Sequence, residues 1–222
     1  RYRAPDGDHV EILDVVDSTQ GRITVMAKGD YRLVAVNGII QTGIPRDLAA
    51  YRKGDGLANQ YYQELLPYLV DQPGGRRALI IGLAGGMTAA ILQRHGIDIE
   101  AVDLDPQMIA TARKWFSFTG PAVAADGRRF LDDCTAQYDF CVIDTYSGDA
   151  LPFYLASVEA FASARRLLKS DGILALNYIG SPTGTAFAAI YRTLAEAFPY
   201  VMAIKGENSV RVQTLTLFAA TE

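Results

Sequence analysis

Residues 78–105 constrain the fold more tightly than any other stretch of the chain. The apolar run Leu79, Ile80, Ile81 stops at Gly82, Gly85 and Gly86. A helix-like segment follows, and a second apolar run ends in Asp103. This is the pattern of a strand, a tight glycine turn, a helix and a second strand with an acid at its carboxyl end. A parallel sheet leaves a crevice at such a turn, where glycines let backbone N–H groups approach a ligand. Asp103 follows the first glycine by about 20 residues, the spacing at which a carboxylate can accept hydrogen bonds from ribose hydroxyls. The stretch therefore reads as part of a nucleoside-binding α/β domain.

The chain around it splits into a β-rich start and a regular β/α alternation. Segments His9–Val16, Arg22–Lys28 and Tyr31–Val36 are rich in β-branched residues and separated by turn formers. Asn37-Gly38 is a hairpin signal leading into Ile39-Ile40-Gln41. A loop through Pro45 precedes a helix expected near Leu57–Val70, whose Leu65, Leu66 and Leu69 share a face. Pro73-Gly74-Gly75 punctuates the chain, and a boundary fits there too. Further strands are expected near 77–82, 98–103, 122–125, 138–144 and 172–178. Helices lie between them, starting at Pro106 and Pro152. Asp171-Gly172 is read as closing the helix that ends at Leu168. An antiparallel pair, Tyr200–Lys205 and Val210–Phe218, ends the chain. The expected architecture is a small N-terminal β-hairpin domain over residues 1–55 and a Rossmann-like nucleoside-binding catalytic domain over 56–222.

Size and charge narrow the function classes. Half of the 222 residues are hydrophobic and the net charge is −4, which suits a globule with a sizeable core and disfavours a nucleic-acid partner. Cys134 and Cys141 are too few for a disulfide framework and read as buried reduced thiols. No apolar stretch reaches the ~20 residues that span a bilayer. The chain begins at Arg1 rather than Met, so a preceding segment is expected, and its nature is open.

Four acids stand at expected strand ends on one rim of the sheet: Asp103, Asp105, Asp126 and Asp144. Ligands of open α/β sheets bind outside the carboxyl ends of strands. Asp126 could accept a hydrogen bond from an adenine amino group, or cap the helix that starts at Gly127, or do both. Asp105, before Pro106, reads as a helix cap. Asp144 precedes the small polar loop Thr145–Leu151, where a general base would sit above a bound nucleoside; loop capping is the plainer alternative. His9 and His95 are poor catalytic candidates. No Ser-His-Asp order, metal-ligand cluster or P-loop is present.

Taken in order, Val36–Gln41, Tyr62-Gln63-Glu64-Leu65, Leu79–Gly82, Val102–Pro106, Asp126-Gly127-Arg128 and Tyr138–Asp144 resemble the spermidine synthases, the polyamine aminopropyltransferase family. The chain is most similar to divergent spermidine-synthase-like domains that are often fused to membrane segments. The resemblance implies a small N-terminal β domain on a seven-stranded methyltransferase-type sheet, a homodimer, and no metal. It implies decarboxylated S-adenosylmethionine as donor, a small amine as acceptor and methylthioadenosine as product. It further implies a cytoplasmic catalytic domain, tethered where membrane segments flank it. Carried over by position, Asp103 would hold the ribose and Asp126-Gly127 the adenine. Gln41, Gly82, Gly85 and Gly86 would border the donor. Tyr62, Gln63 and Glu64 would line the amine pocket, and Asp144 would be the catalytic base.

Two positions depart from the family pattern. Gly85 stands where the family has an acid in the glycine turn, and Ser147 where it has a second acid after the catalytic one. Each loss removes a charge-assisted hydrogen bond of ~1.5–3 kcal/mol to a cationic amine; Asp149 or Glu64 could substitute. An S-adenosylmethionine-dependent methyltransferase on the same fold, and a non-catalytic thioadenosine-binding domain, stay open as alternatives.

Overall fold

Along Arg76–Ile81, Ala78 and Ile80 pack on one side, Leu79 and Ile81 on the other, and all four are buried. A strand with both faces apolar needs cover on both, so it belongs in the middle of a sandwiched sheet. The computed structural model, which describes residues 2–3, 9–47, 76–146, 151–205 and 213–221, places it there. The helix expected near Leu57–Val70 and the loop Pro73–Gly75 lie outside these described residues.

A small antiparallel sheet comes first: β1 (Tyr2–Arg3), β2 (His9–Ser18), β3 (Gly21–Lys28), β4 (Tyr31–Val36) and β5 (Ile39–Pro45), paired in chain order. The β4–β5 turn is Asn37-Gly38, with φ of 49° and 84°, the paired positive values that an Asn-Gly turn supplies at little strain. The second sheet takes β6 (Arg76–Ile81), β7 (Ile97–Asp103), β8 (Ala122–Ala124), β9 (Tyr138–Ile143), β10 (Leu168–Gly180), β11 (Tyr200–Lys205) and β12 (Gln213–Ala220). Between them run α1 (Met87–Arg94), α2 (Pro106–Trp115), α3 (Gly127–Asp133), α4 (Val158–Leu167) and α5 (Thr185–Ala197).

The seven strands order as β11-β12-β10-β9-β6-β7-β8. All pairings are parallel except those of β12 with β10 and with β11. The chain moves outward from β6 through β7 to β8, then returns to lay β9 on the other side of β6. That reversal opens a crevice between the carboxyl ends of β6 and β9.

Two apolar clusters cover the two faces. One gathers Leu79, Ile81, Cys141, Ile143, Phe161 and Leu174; the other gathers Ala78, Ile80, Leu92, Ile99, Phe140 and Val142. A third joins the sheets: Ile23, Val25, Val34 and Ile44 of the small sheet pack on Met108 and Phe116 of the α2 region. Asp14 reinforces this seam by accepting hydrogen bonds from Lys114 Nζ at 2.6 Å and Trp115 Nε1 at 2.7 Å.

Local readings shift at two places. Pro152 opens a 3₁₀ turn, Phe153–Leu155, and the α-helix begins only after Ser157, whose hydroxyl accepts from the Ala160 N–H. Proline's fixed φ suits either kind of first turn, so proline alone does not choose between them. Asp171-Gly172 does not close a helix. Helix α4 ends at Leu167 and the chain enters β10 directly, with Asp171-Gly172 inside the irregular register between Leu168 and Ile173. Among the described residues no helix is long and apolar enough to cross a membrane.

Candidate functional site

The site is set by how closely β6 and β9 end together. The Asp144 N–H donates to the Ile81 carbonyl at 2.9 Å, and the Gly82 N–H to Val102 at 2.8 Å. Gly82 turns the chain with φ of 94°, and a Cβ at that position would overlap the Asp144 carbonyl oxygen. No other residue fits there. At Gly127 the restriction is again space: a Cβ would overlap the Ile81 side chain.

Asp103 sits half-buried at the end of β7 and organises the turn beside it. Its Oδ2 accepts from the N–H groups of Leu83 at 2.9 Å and Ala84 at 3.4 Å, and its Oδ1 accepts from Asp105 N–H at 2.9 Å. Burial pushes its carboxyl above the ordinary range, against the pull of these three donors. A carboxylate has about four acceptor positions, so three backbone bonds leave capacity for a ligand hydroxyl.

Asp105 and Asp126 are both helix caps. Asp105 accepts from the Gln107 N–H at 2.9 Å and Asp126 from the Arg129 N–H at 3.0 Å. Both also line the cleft, so capping and cleft lining coexist in each. Tyr154 stands near Asp126, and burial together with that carboxylate pushes its phenol up.

Asp144 Oδ1 accepts from Asn177 Nδ2 at 2.6 Å. The register explains the pair: Ile143 lies beside Leu176, so the next residues of β9 and β10 fall side by side on the same face. Tyr146 straps the following loop to β10. Its hydroxyl donates to the Asn177 carbonyl at 3.2 Å and accepts from the Ile179 N–H at 2.5 Å.

The structure thus brings Gln41, Gly82, Asp103, Asp126, Gly127 and Asp144 around one cleft of about 230 Å³, with Asp105, Thr145, Tyr146 and Tyr154. It does not bring Gly85 and Gly86 there. Both are buried; Gly85 donates to Thr42 Oγ1 of β5 at 3.3 Å and Gly86 to the Leu83 carbonyl at 2.7 Å. With Gly82 bonded to Val102, and Leu83 and Ala84 to Asp103, every N–H of the turn is satisfied within the protein. The glycines serve close packing and do not offer a ligand their backbone donors. Tyr62, Gln63, Glu64, Ser147 and Asp149 lie outside the described residues.

Four carboxylates line the cleft, from Asp103, Asp105, Asp126 and Asp144, and no Lys or Arg joins them among the described residues. Nor, among those residues, does any group of three or more His, Cys, Asp or Glu gather to hold a metal ion. Cys141 is buried, its thiol pushed up to about 12, whereas Cys134 is only half-buried.

Sequence reasoning missed five contributors. Gln20, Asn37 and Ile39 of the small sheet form one wall of the cleft; the turn role of Asn37 is enough by itself to explain its presence in the sequence. Tyr154 was hidden behind Pro152. Asn177 carried a signal that went unused, a lone amide inside the apolar run Ile173–Tyr178.

Comparison with known proteins bears on the family and the fold. The family model described as the spermine/spermidine synthase domain matches residues 60–204. An N-terminal histidine N-methyltransferase of Emericella nidulans is 34% identical over 132 residues, covering 56% of this chain and 24% of that protein. A "probable polyamine aminopropyl transferase" of Bifidobacterium longum is 29% identical over 154 residues, covering 66% of this chain and 34% of that protein. The chain thus spans about a quarter to a third of these relatives.

Among solved structures, a probable spermidine synthase from Corynebacterium glutamicum superimposes with a TM-score of 0.80 at 18% identity, covering 96% of this chain and 81% of that one. A spermidine synthase in complex with the transition-state analogue AdoDATO gives 0.71 at 20%, covering 95% and 74%. Human methyltransferase-like protein 13 in complex with SAH gives 0.61 at 22%, covering 78% and 82%. These likenesses establish the fold, and the match to the family model establishes the lineage: the chain belongs to the spermine/spermidine synthase family, as a divergent member.

Proposed function

We propose that the cleft binds decarboxylated S-adenosylmethionine and transfers its aminopropyl group to an amine acceptor, releasing methylthioadenosine. The observation that carries this reading is the charge of the lining: four carboxylates, no described Lys or Arg, and a glycine turn whose N–H groups are all engaged. A sulfonium donor with an ammonium tail is a dication and suits such a lining. Ordinary S-adenosylmethionine also carries an α-carboxylate, which needs a cation or free N–H donors to replace its hydration. The described lining holds no Lys or Arg, and the N–H groups of its glycine turn are engaged.

On this reading Asp103 accepts from the ribose hydroxyls, Asp126 from the adenine amino group, and Gln41 and Gly82 border the donor tail. Asp144 is the base. A primary amine is mostly protonated at neutral pH, with a pKa near 10.4 for a lysine-like ammonium. Asp144 accepts one proton, the freed lone pair attacks the carbon beside the sulfonium, and the carbon–sulfur bond breaks with its electrons returning to sulfur. Methylthioadenosine leaves as a neutral thioether. Alignment of nitrogen and carbon within the cleft supplies much of the acceleration, on the order of several kcal/mol.

A methyltransferase reading is favoured by one observation: at Gly85, where the family carries an amine-binding acid, the space is filled by Thr42 and Phe116. The methyltransferase similarity in the curated relatives and the solved structures fits that reading as well. Calorimetric titration with S-adenosylmethionine, its decarboxylated form and methylthioadenosine separates the two. Aminopropyl transfer predicts at least a tenfold preference for the decarboxylated donor, about 1.4 kcal/mol. Equal or reversed preference favours methyl transfer, and tight binding of methylthioadenosine with no turnover of either donor favours a sensing domain.

A further inference from the structure

We infer that Asn177 is a positioning residue for Asp144, its amide fixing one carboxylate oxygen so that the base stands in a single orientation at the cleft. The inference rests on the base role proposed for Asp144. Asn177 is 5% exposed and lies in a strand whose neighbours Leu174, Ala175, Leu176 and Tyr178 are all buried and apolar or aromatic. A buried amide there needs a reason, because an apolar side chain would fill the space without burying polar atoms. Its Nδ2 donates to Asp144 Oδ1 at 2.6 Å, while its Oδ1 is buried with no hydrogen-bond partner. The amide leaves its own acceptor unsatisfied while its donor serves Asp144. The backbone of the same residue is engaged as well, since the Tyr146 hydroxyl donates to its carbonyl and accepts from Ile179. Side chain and backbone of β10 thus hold both Asp144 and the loop that follows it.

The chemical consequence concerns the proton. A donated N–H stabilises the ionised carboxylate, the form that can accept a proton from an ammonium. The other titratable groups around Asp144, among the described residues, are Tyr146 on its own loop, Tyr178 on β10, and Asp103, Asp105, Asp126 and Tyr154 across the cleft. None of these is a cation, so the acids among them favour a protonated Asp144, which the Asn177 amide opposes.

The test is a ¹³C-carboxyl NMR titration of aspartate-labelled protein, with Asp144→Asn to assign the resonance. In Asn177→Leu, Asp144 titrates about one pH unit higher than in the wild type while Asp103 and Asp126 keep their positions. In the isosteric Asn177→Asp, two facing carboxylates share a proton, so Asp144 titrates in two coupled steps with one moved upward. This second variant decides the matter should the leucine variant not fold. Where turnover is measured, the acid limb of kcat moves with the NMR value, which a merely structural role would not produce. An Asp144 resonance that titrates identically in wild type and variants overturns the inference. The NMR readout needs no turnover, so a protein that transfers nothing to any amine refutes the proposed function while leaving this outcome separately readable.

Discussion

Gly85 and Gly82 are both glycines of one turn, yet different constraints hold them. At Gly82 the backbone angle itself, 94° in φ, excludes a side chain. Gly85 lies outside the left-handed region, and only its neighbours exclude one: a Cβ would stand 2.9 Å from Thr42 Cγ2 and 3.0 Å from Phe116 Cδ1. Restoring the family acid with Gly85→Asp should therefore cost about 1–3 kcal/mol through overpacking. Thr42→Ser removes the crowding methyl and keeps the hydroxyl that accepts from the Gly85 N–H. In the double variant part of the loss returns, and urea denaturation of the four proteins in a double-mutant cycle measures the coupling. Strict additivity would mean that Thr42 does not shape this position. The same pair explains what the sequence could say at this scale. Asp103, Asp126 and Asp144 were legible because a strand-end acid points to a rim whatever else packs nearby. The burial of Gly85 and Gly86 was not, because the first depends on Thr42 of β5, some forty positions away, and the second on Phe118, some thirty positions on.

At the scale of elements, the strands are stitched at the end away from the cleft. Asp139, early in β9, accepts from the Arg77 N–H of β6 at 2.8 Å and from Lys169 Nζ of β10 at 2.9 and 3.0 Å. Burial alone would push its carboxyl up, but the Lys169 ammonium, the Arg77 N–H and the Arg76 charge outweigh it and hold the group below the ordinary value of 3.8. The sign follows: a depressed native pKa gives stability that is present above 3.8 and is lost as pH falls through the native value. Asp139→Asn should cost about 1–2 kcal/mol at pH 7, the lower end because Lys169 is 42% exposed. It should also flatten the fall in unfolding free energy below about pH 4. An unchanged acid limb in chemical denaturation would show that the clamp does not set it. Element order along 76–220 followed directly from apolar runs punctuated by glycine and proline, since each run is long enough to cross a buried sheet once. Boundaries were less legible where one signal serves two structures, as at Pro152 and at Asp171-Gly172.

For the molecule as a whole, the cleft has two walls from two sheets, and one small core holds them together. Gln20, Asn37, Ile39 and Gln41 come from the small sheet, the carboxylates from the large one. Phe116, 1% exposed, sits where Ile23, Val25, Val34 and Ile44 meet α2 and also presses against the Gly85 position. Phe161, 0% exposed, is equally buried but packs in the cluster on Leu79, Ile143 and Leu174. Truncating either to alanine should lower the unfolding free energy by about 3–5 kcal/mol, since both leave a large cavity in a packed interior. Their effects on ligand binding should diverge. Phe116→Ala loosens the small sheet, so one wall shifts away from the carboxylates, and methylthioadenosine affinity falls roughly tenfold or more, about 1.4 kcal/mol. Phe161→Ala leaves both walls in place and the affinity within about twofold of wild type, provided the measurement is made well below the lowered melting temperature. Calorimetric binding on both variants, paired with thermal unfolding, reads the two effects apart. An affinity that stays within about twofold of wild type in Phe116→Ala would mean that the small sheet takes no part in holding the nucleoside, and that the large sheet alone builds the site.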